Sequence, residues 1–174
     1  MDYVADEILL ERMSQKEEYL GSAFDAIEAR ASALLAFIAI LAGLPAVIAD
    51  KLPVYWGKSS LFGSLIFVAA MLFAVLAGGA VLWALSGADY EAEETEGLID
   101  WRDKYVNSYG NSYTEAALAA EIRSELIKAI AQRIKRNEEL NAEKSFRLQM
   151  AYYATTLSAI FNVVLLIPIA AHQF

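Results

Sequence analysis

Lys144, Asn137 and Asn141 stand where a helix should be apolar. At about 100° per residue, Asn137 and Lys144 point with Ile122, Leu126 and Ile130, and Asn141 flanks them. Amides and an ammonium on such a stripe need partners. They can pair internally, with Glu28 or Asp25 of an earlier helix. Alternatively, they can help form a pocket for a polar or anionic ligand, to which Arg30 and Arg147 would add positive charge. A second group is aromatic: Trp101, Tyr105, Tyr109 and Tyr113 recur every fourth residue beside Arg102 and Lys104. Aromatic faces with nearby cations stack nucleobases, although rows of this kind also arise from plain packing. Trp101 and Tyr105 therefore join Arg30, Asn137, Asn141, Lys144 and Arg147 as candidate ligand-binding residues.

Thr155, Ser158 and Asn162 share one face of an uncharged stretch. They could line a water path or hydrogen-bond a neighbouring helix. None is charged, so no proton relay is expected. The chain has no glycine-rich phosphate loop, no metal-ligand spacing and no nucleophile beside a histidine. It has no cysteine and one histidine, His172, which excludes thiolate chemistry and disfavours a metal site. We expect no enzyme, no cofactor and no metal. The net charge of −8 disfavours a nucleic-acid polymer as partner.

The elements that must hold these groups follow from how charge is segregated. Residues 31–49, 59–88 and 148–174 carry no Asp, Glu, Lys or Arg. About 20 apolar residues suffice to cross the hydrocarbon core, so each run qualifies as a span. The first run is not a cleavable signal peptide, since it follows thirty acidic-leaning residues. Near the spans, Lys16, Arg30, Arg102, Lys104, Arg133, Lys135, Arg136, Lys144 and Arg147 fall on one side, against Lys51 and Lys58 on the other. Cytoplasmic flanks collect such residues. The reading is a cytoplasmic N-terminal helix (1–30), span one (31–49), a periplasmic loop (50–58) and span two (59–88). A cytoplasmic helical region (89–147), span three (148–171) and a periplasmic tail (172–174) follow. Tyr55 and Trp56 suit the outer interface, and Trp83, Tyr152 and Tyr153 the inner one. The fold class is all-α integral membrane, three transmembrane helices with long cytoplasmic helical extensions.

Leu9, Met13, Lys16, Leu20, Ala23, Ile27 and Arg30 recur at alternating gaps of four and three, the seam of a helix that packs on another. That helix should run into span one without a break, with Pro45 near its outer end. A second long helix should start at Thr114, whose hydroxyl can cap it. From there to Arg147 it would measure about 51 Å. A short helix is expected around residues 98–105. In span two, Ala70, Ala74 and Gly78 form a small-xxx-small ladder. It serves either self-association into a homo-oligomer or packing within one three-helix protomer.

Ile27-Glu28-Ala29-Arg30-Ala31-Ser32 leads into span one, and Asn137-Glu138-Glu139-Leu140-Asn141-Ala142-Glu143-Lys144 leads into span three. With these motifs and the order of its spans, the chain resembles the transmembrane effectors of the bacterial Pycsar antiphage systems. It is similar, more distantly, to the SLATT membrane effectors. The resemblance implies an abortive-infection effector: a cyclase makes a cyclic nucleotide on infection, and the effector compromises the inner membrane. Residues 98–113 depart from the family's pattern. Partners implied are the lipid bilayer, a cyclic nucleotide or a cytoplasmic protein. The competing reading is a non-toxic scaffold or accessory subunit whose cytoplasmic helices hold another protein. A small transporter is disfavoured by the lack of intramembrane charges and broken helices.

Overall fold

The computed structural model describes residues 3–49, 61–86, 100, 102–104, 106–108 and 114–171, and among them it contains helices and no strand. The three long helices are α1 (Tyr3–Ile48), α2 (Leu61–Leu85) and α3 (Glu115–Ala171). All three are long and apolar enough to cross a membrane. The expected run of the N-terminal helix into span one is observed: α1 continues for 46 residues and contains Pro45. Thr114 caps α3 as expected. Its Oγ1 accepts from the Ala117 amide at 3.4 Å, and its carbonyl accepts from Leu118 at 2.9 Å. Of the short helix expected at 98–105, the described residues 100 and 102–104 are helical. Tyr55, Trp56, the loop 50–58 and the tail 172–174 lie outside the described residues.

The chain divides into two compact units, one of residues 1–24 and 88–141, the other of residues 25–87 and 142–174. In the first, α1 and α3 bury Met13, Leu20, Ile130 and Ile134 against each other, with Leu10, Leu126 and Ile127 around them. Ion pairs flank this seam: Asp6 with Arg123, Lys16 with Glu138 and Glu17 with Arg133. Higher numbers on α1 meet higher numbers on α3, so the two helices run parallel.

The inward face of α1 differs in phase from the expected seam. Met13 and Leu20 are buried as expected, but Leu9, Lys16 and Arg30 are exposed. The intervening layers are instead Glu17, Phe24 and Ala31, one residue further along. Burying Lys16 and Arg30 would strand two cations. The chosen phase puts an aromatic ring and a methyl group inside and leaves the cations at the surface.

The second unit holds the apolar stretches of all three helices. Its core contains Ala31, Leu34 and Ile38 of α1, Ala74, Ala77, Val81 and Ala84 of α2, and Leu148 and Ala151 of α3. A smaller cluster gathers Ile66, Ala70 and Leu165. Phe73 and Phe161 stack with ring centroids 5.6 Å apart. Arg147 meets Trp83, Ser158 meets Ala70 and Leu165 meets Ile66, an opposite order along the two helices that sets α2 antiparallel to α3. The starts of spans one and three and the end of span two therefore share one end of this unit.

The outward surface of this unit is rich in large apolar side chains. Phe37, Ile40, Val47, Leu65, Val68, Leu72, Val75, Leu82, Ile160, Val163 and Ile167 face out. Alanines, Thr155, Ser158 and Asn162 face in. Water would reject that arrangement and lipid favours it.

Candidate functional site

In the first unit, Asn137 and Asn141 sit on the inward face of α3, as its periodicity predicts. Asn137 is 0% exposed and Asn141 is also buried. Asn141 Nδ2 donates to the Leu20 carbonyl at 2.9 Å. Its Oδ1 is buried with no hydrogen-bond partner among the described atoms. Polar side chains at the core positions of paired helices fix register at a cost in stability, and an amide oxygen without a donor adds to that cost. Trp101, Tyr105, Tyr109 and Tyr113 lie outside the described residues. Beside them, Arg102 is exposed and bonded to its neighbour Asp103 at 2.7 Å.

In the second unit, Lys144 is 3% exposed and Glu28 41% exposed, with 2.9 Å between ammonium and carboxylate. This is the internal pairing that the sequence offered as the alternative to a ligand pocket. Arg30 is exposed on α1.

Arg147 has a task that its spacing did not announce. Its Nη1 donates to the carbonyls of Trp83 at 3.0 Å and Ser86 at 3.2 Å. Its Nη2 pairs with Glu143 one turn back. The guanidinium also lies over the Trp83 ring, 4.6 Å from the centroid. The last turn of a helix leaves carbonyls without donors and carries partial negative charge. Arg147 supplies donors and charge to the end of α2 from another helix. Trp83, Glu143 and Glu28 thus complete a polar cluster at one end of the spans. Trp83 was legible only as an interfacial aromatic.

The ladder in α2 is used within the protomer. Ala70 and Ala74 are buried there, so they have no surface to give a second copy in this packing. A methyl group built on Gly78 would meet Ile38 of α1 at 4.0 Å, whereas one on Gly79 would meet nothing. The small side chain of Ala70 lets Ser158 Oγ reach its carbonyl at 3.0 Å. Thr155 Oγ1 bonds back to Ala151 O, and Asn162 Nδ2 to Ser158 O.

An apolar exterior and three helices long and apolar enough to cross a membrane define an all-helical integral membrane protein. Residues 13–171 match the family model described as the Pycsar effector protein domain, and the chain belongs to that family. No curated protein and no solved structure matches it. The match takes in residues of both units, and membership gives the chain the role of an antiphage effector.

Proposed function

We propose that this effector acts at the bacterial inner membrane. Its cytoplasmic helices sense a cyclic nucleotide or a protein partner, and its spans respond by compromising the bilayer without catalysis. The observation that carries this reading is the polar interior of the first unit. Two parallel helices enclose Asn137 and Asn141, and the Asn141 acceptor has no donor among the described residues. A ligand that satisfies such a group gains more than one that meets a fully bonded surface. The same two helices supply two of the three spans. A ligand changes their arrangement only by binding two states unequally, and each 1.4 kcal/mol of difference shifts the equilibrium tenfold. Three helices enclose no useful water path by themselves, so homo-oligomerisation belongs to the same reading.

The test is growth and uptake of an impermeant dye, with and without a cyclic nucleotide source in the cell. Growth arrest with dye uptake, dependent on both components, is the expected result. Normal growth under every cyclic nucleotide, together with stable co-purification of a cytoplasmic protein, would favour the scaffold reading instead.

Topology gives a second test, motivated by the excess of Lys and Arg beside one set of span ends. Reporters fused at residue 110 should read cytoplasmic, and those at residue 54 or the C-terminus periplasmic. A periplasmic signal at residue 110 would overturn the placement of the sensor.

A further inference from the structure

Asn162 is 3% exposed in the membrane-spanning unit, yet its Oδ1 has no hydrogen-bond partner among the described atoms. Exchanging the two ends of the amide does not help. It would turn Oδ1 toward the Ser158 carbonyl, which now accepts from Nδ2 at 2.9 Å, and set two acceptors face to face. Ser158, 0% exposed, lies one turn earlier and spends its proton on Ala70 O. Hydrocarbon offers no donor, so an unsatisfied acceptor at this depth costs several kcal/mol. Water satisfies it fully.

We propose that Ser158 and Asn162 are the water-binding lining of the path through which the protein breaches the membrane, stored facing inward in the packed bundle. The inference rests on the membrane-compromising reading above and adds the surface that does it. The packed state is strained at one atom, and that strain is relieved when the spans separate and water reaches Asn162. The same two side chains then present a hydroxyl and an amide to the aqueous phase. Thr156, whose hydroxyl bonds Tyr152 O and which faces outward, stays against lipid in either state.

The test uses the full chain in cells with and without a co-expressed cyclic nucleotide cyclase. Asn162→Leu removes the unsatisfied acceptor and keeps a side chain of similar size. It should insert and accumulate like the wild type and reduce induced dye uptake about tenfold or more. The absence of cysteine provides a second measurement that does not depend on the leucine variant. In Ser158→Cys, labelling by a small water-soluble thiosulfonate should speed up about tenfold on induction. In Thr156→Cys it should stay slow throughout. Full dye uptake by Asn162→Leu at normal abundance, or equal labelling of the two cysteines after induction, would overturn the lining while leaving membrane compromise intact. An absence of induced dye uptake in the wild type would remove the underlying reading, and the lining with it.

Discussion

Glu28→Ala should destabilise the membrane-spanning unit by about 3 kcal/mol, whereas Lys144→Met should stay within about 1 kcal/mol of the wild type. The asymmetry comes from where the two charges sit. The Lys144 side chain is 3% exposed and that of Glu28 41%. Removing the carboxylate takes from a buried ammonium the countercharge 2.9 Å away. Removing the ammonium leaves a carboxylate that water already reaches. Methionine, moreover, fills the space of the lysine stem with apolar atoms. The double variant should resemble Lys144→Met, so the loss in Glu28→Ala is rescued by a second substitution. Thermal unfolding in mild detergent reads this directly. Equal losses in the two single variants would show that the pair is not buried as described. The same set separates pairing from ligand binding. If Lys144→Met retains stability and loses only nucleotide-dependent dye uptake, the ammonium acts on a ligand as well as on Glu28.

Arg147→Ala should cost about 3 kcal/mol and fray the end of α2. Hydrogen bonds from a charged donor contribute about 1.5–3 kcal/mol each, and Arg147 directs two of them at carbonyls of one helix end. Its stacking on Trp83 adds a contribution that partial exposure moderates. Arg147→Lys should recover less than half of the loss. A single ammonium cannot span both carbonyls, pair with Glu143 and lie flat on an indole at once. Hydrogen exchange at Leu82–Leu85 is the local readout. It should accelerate in Arg147→Ala, while the Thr114 end of α3 stays as protected as before. Wild-type exchange in Arg147→Lys would mean that charge alone, rather than the planar fork, holds the turn.

The three spans were legible because they lack Asp, Glu, Lys and Arg, and membrane insertion depends on that property directly. The inward turn of Asn137 and Lys144 was legible too, since periodicity places a residue on a face whatever its chemistry. Thr114 announced the start of α3 for a local reason: a cap is made within a few residues of itself. What escaped depends on partners distant in sequence. On α1 the seam could step from Met13 by three residues or by four. The sequence-based seam took three, whereas burial of Phe24 and Ala31 chose four. Ala70 and Ala74 form the same pattern whether they meet a second copy or their own bundle. Arg147 reaches carbonyls more than sixty residues away, and accepting carbonyls leave no trace in a sequence. Residues such as Trp101 and Tyr105, which the sequence singled out for stacking, lie outside the described residues, so that part of the candidate site stands on sequence alone.

The parallel course of α1 and α3 has a consequence for biosynthesis. Contacts between these helices join residues 116 to 122 positions apart: Glu17 with Arg133, Leu20 with Asn141, Lys16 with Glu138, Glu28 with Lys144. Helical bundles usually assemble from neighbours in sequence and so fold fast. In the first unit the described core instead joins α1 to α3, far apart in sequence. At bacterial synthesis speeds of roughly 5–20 residues per second, α1 waits on the order of 10 s for α3. Span one can meet span two earlier, through contacts such as Ile38 with Gly78. Among the described residues, Met13 and Leu20 pack on α3, and Ser158 and Asn162 follow later still. A ribosome that stalls before residue 130 therefore leaves spans one and two made without the α3 residues that cover Met13 and Leu20. The polar face of α3 is made only after both of those spans.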